Sequence, residues 1–140
     1  MNLSAKAQYA SLAMLQLAVD FPSGEPVQIR SIAERHGIPH RFLVQILLQL
    51  KRAGLVTSTR GSHGGYRLGQ APQEISLAEV LDAIDGAEPI SLATTKSPFG
   101  PTLMTWCDEM SAILQERLAQ TTLATFLDRA NRSEEPMWYI

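Results

Sequence analysis

The stretch "GLVTSTRGSHGGYRLG", residues 54 to 69, decides how the rest of the chain is read. Val56, Thr57 and Thr59 favour an extended backbone, as do Tyr66 and Leu68, because β-branched and aromatic side chains suit a pleated surface. Between these runs lies a six-residue connection, Arg60 to Gly65, with glycines at 61, 64 and 65 and no apolar residue. The pattern predicts a solvated hairpin. An arginine at such a tip has nothing to pack against, so its purpose depends on what precedes it.

What precedes it is a pair of short helices. "QIRSIAERHG" (28–37) places Ile29, Ile32 and Ala33 inward and stops at Gly37. "PHRFLVQILLQLKRAG" (39–54) opens with a proline suited to a first helical turn and ends at Gly54. Its core face is Leu43, Ile46, Leu47 and Leu50, at i, i+3, i+4 and i+7. Two helices joined by a tight Gly-containing turn, followed at once by a hairpin, spell a winged helix-turn-helix.

Further out, residues 3–19 carry Leu3, Ala7, Ala10, Met14, Leu17 and Ala18 at helical spacing behind Ser4, a plausible cap. "DFPSGEPV" (20–27) reads as a loop from its prolines and glycine. After the hairpin, "ISLAEVLDAIDG" (75–86) is a helix with Leu77, Val80, Leu81 and Ile84 on one side. A loop at 87–101 leads to a long helix from Thr102 to about Gln120, and Thr122 is placed to cap a short last helix, "LATFLDRA". On the long helix Leu103, Cys107, Met110, Leu114 and Leu118 share a face, flanked by Trp106 and Ile113. That face is wider than one small domain can cover, which predicts a dimer seam of Leu103, Trp106, Met110, Leu114 and Leu118. The expected fold is mainly α: a winged helix-turn-helix over 1–86, the loop 87–101, a dimerisation helix and short terminal helix over 102–131, and a tail from 132 to 140.

Composition bounds the function. With 45% apolar residues, this 140-residue chain can bury a core. Its apolar runs break within about seven residues, well short of the roughly 20 of a spanning helix, so no membrane role is expected. Its opening run lacks the cleavage site of an export signal, which makes a cytoplasmic protein the simple reading. The single cysteine excludes an internal disulfide. No phosphate loop, metal motif or nucleophile–base set stands out, so an enzyme is not expected. Net charge is −2 but unevenly spread: residues 1–70 hold eight Lys/Arg against three acids, and residues 71–140 hold four against eleven. A basic half suits a polyanion, and double-stranded DNA is the expected partner.

With Leu43 inward, Arg41, Gln45 and Arg52 turn outward, with Gln49 beside them and Leu48 able to meet a thymine methyl. In a helix-turn-helix such positions reach base edges in the major groove, where glutamine pairs with adenine and arginine with guanine or phosphate. The hairpin then falls beside a minor groove, whose negative potential favours an inserted arginine, Arg60. Gly61 and Gly64 let backbone amides approach phosphates. His40, His63 and Tyr66 complete the candidate contact set.

At this point a family resemblance is plain. "LSAKAQYA", "IAERHGIPHRFLVQILLQLKRAGLVTSTRGSHGGYRL" and "ISLAEVLDAIDG" resemble the Rrf-two family of bacterial winged-helix regulators, which includes regulators of iron–sulfur clusters and of cysteine metabolism. The likeness runs from residue 1 to about 130. It implies a homodimer joined through the long helix, acting as a repressor on a two-fold operator. Gln45 matches the family's base-reading glutamine by position, and Arg60 its wing arginine. Val44 stands where cluster-regulated members often carry glutamate, and Ser62 and His63 replace a Pro and a Gly of the usual wing.

The resemblance departs at the sensor. Cluster-binding members carry three cysteines in the loop before the long helix and at its start, yet residues 87–101 hold none, and Gly100 occupies the third position. Thiolates are the usual cluster ligands, so no cofactor is expected. Cys107, on an apolar face, reads first as a small buried hydrophobe; a redox role, or an unusual cluster shared with His36 across a dimer, is the sharper alternative. A competing function is a protein-interaction module, or a regulator whose DNA binding is set by a partner protein, with 87–101 and the apolar tail as contact surfaces.

Overall fold

Helix α1 (Ala5–Asp20) begins where Ser4 accepts a hydrogen bond from the Ala7 amide at 3.0 Å, as expected of a serine cap. The computed structural model describes residues 1–86 and 96–133. Ala7, Ala10, Ala13, Met14, Leu17 and Ala18 are all buried, and the alanines let neighbouring helices approach α1 closely. Leu3 does not join them. It precedes the helix and is 38% exposed, because the extended residues before the cap do not continue the helical phase.

Helix α2 (Ile29–His36) ends at Gly37, whose φ of 63° is left-handed, while the Ile38 amide reaches back to the Ala33 carbonyl at 3.0 Å. This closure satisfies the last carbonyls and buries Ile38. Helix α3 (His40–Arg52) starts one residue after Pro39, which occupies the cap rather than the first turn. Leu43, Ile46, Leu47 and Leu50 are fully buried, the face that the spacing predicts. Strands β1 (Val56–Thr59) and β2 (Gly65–Leu68) pair antiparallel with Val56 opposite Leu68 and Thr59 opposite Gly65. The connection is therefore five residues, not six.

Gly65 belongs to β2 for a reason outside the hairpin. Val27, expected in a plain loop, bridges the free edge of β2: its amide donates to the Tyr66 carbonyl at 2.9 Å and its carbonyl accepts from the Tyr66 amide at 2.8 Å. A Cβ at position 65 would lie 2.3 Å from the Val27 carbonyl oxygen. The rest of that linker includes a 3-10 turn, Phe21–Ser23.

Helix α4 (Leu77–Asp85) follows a second 3-10 turn, Pro72–Glu74, and opens on a capping box. The Glu79 amide donates to Ser76 Oγ at 3.2 Å and the Ser76 amide to Glu79 Oε2 at 3.4 Å. Helix α5 (Gly100–Gln120) starts two residues earlier than the spacing predicts, with Pro101 in its first turn. Helix α6 (Leu123–Ser133) starts under a Thr122 cap, with the Thr125 amide donating to Thr122 Oγ1 at 3.1 Å, and runs past the expected end near Ala130. Two backbone bonds, Leu77 to Thr121 at 2.8 Å and Leu123 to Ile75 at 2.9 Å, pin the start of α6 beside the start of α4. Leu123 is thereby fully buried, and α6 packs on α1. Most of the expected loop 87–101 and tail 132–140 lies outside the described residues. Among the described residues no helix is long and apolar enough to cross a membrane.

Candidate nucleic-acid interface

With its apolar face in the core, α3 leaves Arg41, Gln45, Leu48 and Arg52 exposed on the opposite side, and His40 exposed at its start. Gln49 and Val44 sit half-buried on the flanks. The guanidinium of Arg41 lies over the ring of Phe42, 5.5 Å from its centroid. Lys51, in the last turn, donates to Ser58 Oγ at 2.5 Å, which ties the end of α3 to β1. Helix and wing are thus joined by side chains as well as by the short link between them.

At the wing tip Arg60, Gly61, Ser62 and His63 are exposed. Gly61 has a φ of 105°, and the Gly64 amide closes the turn on the Gly61 carbonyl at 3.0 Å. Gly64 is buried, and a Cβ there would meet the Thr59 carbonyl oxygen at 2.2 Å. Tyr66 is half-buried against the core, and its backbone is engaged by Val27. The wing therefore gathers the solvated candidates Arg60, Gly61 and His63 at its tip, while Gly64 and Tyr66 lie at its base. Gln28 supplies a further tie, its amide nitrogen donating to the Ser62 carbonyl at 3.4 Å.

The side-chain ion pair identified among the described residues is Arg30 with Glu34, 3.1 Å apart on the exposed side of α2. Arg41, Arg52 and Arg60 are not held by carboxylates there, so their positive charge is available to an incoming anion.

His36, a sensor candidate, is engaged internally. Its Nε2 lies 2.8 Å from Gln16 Oε1, and the Gln16 amide nitrogen donates to Asp20 Oδ2 at 2.9 Å. Gln16 is 7% exposed, a buried polar side chain among the apolar residues of α1. Its place near the core stripe of α1 was the one available signal, since a buried amide needs partners. The link clamps α1 to the last turn of α2.

Cys107 is half-buried, and further along α5 the Gln115 amide reaches Asp82 of α4 at 3.5 Å. The expected seam therefore divides. Leu118 is also half-buried, whereas Leu103, Trp106, Met110, Ile113 and Leu114 form an exposed stripe, with Trp106 at 56% and Ile113 at 60%. Gly100 is the one buried residue of α5. Among the described residues no three of His, Cys, Asp and Glu converge to hold a metal ion. The whole chain has one cysteine, so the three-cysteine cluster site of the resembled family does not fit it.

Comparison with known proteins agrees with this architecture. The family model "Rrf2: Iron-dependent Transcriptional regulator" matches residues 3–129. The HTH-type transcriptional regulator IscR of Aliivibrio salmonicida is 46% identical over 85 residues, 61% of this chain and 50% of that protein. A Synechocystis sp. relative is 44% identical over the same length, 57% of its own chain, so the matched part spans about half of these two relatives. Among solved structures, T. potens IscR superposes with a TM-score of 0.79 at 31% identity, covering 99% of this chain and 95% of that one. CymR of B. subtilis, titled the global cysteine regulator, gives 0.79 at 27% identity over 92% of this chain and 98% of its own. The chain belongs to the Rrf2 family, the Rrf-two family of winged-helix transcriptional regulators.

Proposed function

We propose that the chain is a sequence-specific, DNA-binding transcriptional repressor that acts as a homodimer on a two-fold operator. The observation that carries this reading is α3: one face wholly buried, the other presenting Arg41, Gln45, Leu48 and Arg52 to solvent. In a winged helix that outer row enters the major groove, and the wing tip with Arg60 follows the backbone into the adjacent minor groove. Gln45 reads an adenine, Arg60 contacts the minor groove or its phosphates, and Arg52 and His40 position the protein on the backbone.

The dimer is proposed from α5. A helix of 21 residues with one buried position has not found its cover within the described chain. Its stripe of Leu103, Trp106, Met110, Ile113 and Leu114 suits the same helix of a second copy, an isologous seam. Two copies then present two α3 helices to two half-sites. Repression, and control of this protein without the family's three-cysteine cluster, are assigned from the family resemblance and the cysteine count.

The test is binding of the purified protein to promoter fragments from its own genome across a salt series, beside sedimentation of the free protein. The expected result is a dimer whose affinity for selected fragments falls steeply with salt through counterion release. The absence of salt-dependent binding to any fragment would instead favour a protein-interaction module.

A further inference from the structure

Phe42 stands in the first turn of α3 yet is 44% exposed, and the adjoining core positions 43, 46, 47 and 50 are filled without it. A large ring left half in water on a DNA-facing helix is not explained by folding. Its one distinguishing contact is with its neighbour: the Arg41 guanidinium lies over the ring, 5.5 Å from the centroid. Adjacent side chains on a helix do not ordinarily face one another, which sets this contact apart. Among the described residues no carboxylate is paired with Arg41, and the ion pair Arg30 with Glu34 lies on α2.

We infer that Phe42 is a specificity-determining positioning residue: its ring holds the Arg41 guanidinium in one orientation, so that Arg41 reads a guanine rather than serving as a loose phosphate cation. The inference rests on the assignment of α3 to the major groove. Stacking uses a face of the planar guanidinium and leaves the N–H donors along its edge free. Those edge donors are the ones that bond guanine O6 and N7 as a fork. A free arginine chain would have to give up much rotamer freedom to make that fork; one already laid on a ring has given up part of it beforehand. The ring thus converts a flexible cation into a directional one. Gln45 lies one turn further along the same exposed side and is assigned to a separate base pair.

The experiment begins by selecting an operator from a random duplex library with the full-length parent. Affinities of parent, Phe42→Leu, Phe42→Tyr, Arg41→Ala and the Phe42→Leu/Arg41→Ala double variant are then measured on every single-base substitution of that operator, at matched salt. Thermal melting accompanies each variant. Expected for Phe42→Leu is a loss of discrimination at one base pair per half-site, about two- to fivefold, the scale of one exposed cation–π contact. Melting temperature and salt slope should stay as in the parent, and Phe42→Tyr should keep the preference. Arg41→Ala should lose discrimination at the same base pair, and the double variant should lose no more than Arg41→Ala alone, since coupled residues are not additive. The inference is overturned by additive losses, by loss at a different base pair, or by a Phe42→Leu protein that discriminates like the parent. It is equally overturned if Phe42→Tyr loses as much as Phe42→Leu. A parent that selects no sequence at all removes the groove assignment itself, and the inference falls with it.

Discussion

Single residues of the wing divide into those that shape it and those that reach outward. Gly65 shapes it: with φ at 152° and the Val27 carbonyl 2.3 Å from where a Cβ would stand, alanine must either strain the backbone or part the Val27–Tyr66 bridge. Gly65→Ala should cost on the order of 1–3 kcal/mol, the range for a strained backbone position, measured by urea unfolding. It should also weaken DNA binding by misplacing the tip. Arg60 reaches outward and has no carboxylate partner among the described residues. Arg60→Ala should leave unfolding unchanged and weaken operator binding by about 1–3 kcal/mol, the size of one good specific contact. Equal operator affinities for this variant and the parent at matched salt would remove Arg60 from the interface.

At the scale of elements, α4 and α5 make contrasting cases. Helix α4 is short and depends on its capping box, so Ser76→Ala should lower stability by about 1 kcal/mol, read as a lowered denaturation midpoint with no change in operator preference. Helix α5 is long but adds almost nothing to the core of its own chain. Leu114→Glu removes little internal packing, since Leu114 is 40% exposed, yet it places a charge in the proposed seam. Sedimentation should show the variant as monomer where the parent is dimer, and operator binding should fall with it. A parent that sediments as a monomer at micromolar concentration would refute the seam.

For the whole molecule, charge and ligand chemistry set the expectations. Net charge is only −2, yet residues 1–70 carry eight Lys/Arg against three acids, a basic half suited to the proposed DNA contact. Neutralising about four phosphates predicts that affinity falls on the order of a hundredfold between about 50 and about 200 mM salt. A flat salt response would contradict a DNA-bound basic half. The sensor is the other whole-molecule matter. With one cysteine per chain, half-buried on α5, and His36 engaged by Gln16, the protein should purify without a cluster and bind its operator without one. Iron and acid-labile sulfide measured after anaerobic, iron-replete expression check this, in the parent and in Cys107→Ala. One cluster per subunit, lost in the variant, would show that Cys107 is a ligand.

The chain's own sequence determined what depends on neighbours within a few residues. The i, i+3, i+4, i+7 repeat of Leu43, Ile46, Leu47 and Leu50 oriented α3, Gly37 ended α2, and the two β-favouring runs around Arg60 made the hairpin. These follow from helix phase and backbone sterics, which the sequence states directly. Ser76 and Glu79, three residues apart before an apolar run, state their capping box as directly. Only the tertiary structure decided the rest. Val27 became a strand partner of Tyr66, Gln16 a buried link between His36 and Asp20, and Thr121 the anchor that returns α6 to α4. Each joins groups whose meeting depends on the path of the intervening chain, for which a local pattern has no signal. The division of α5 into half-buried positions, with Cys107 and Leu118, and an open stripe, with Trp106 and Ile113, has the same origin. Periodicity orders residues around a helix, but the direction in which that helix docks is chosen by the packing of everything else.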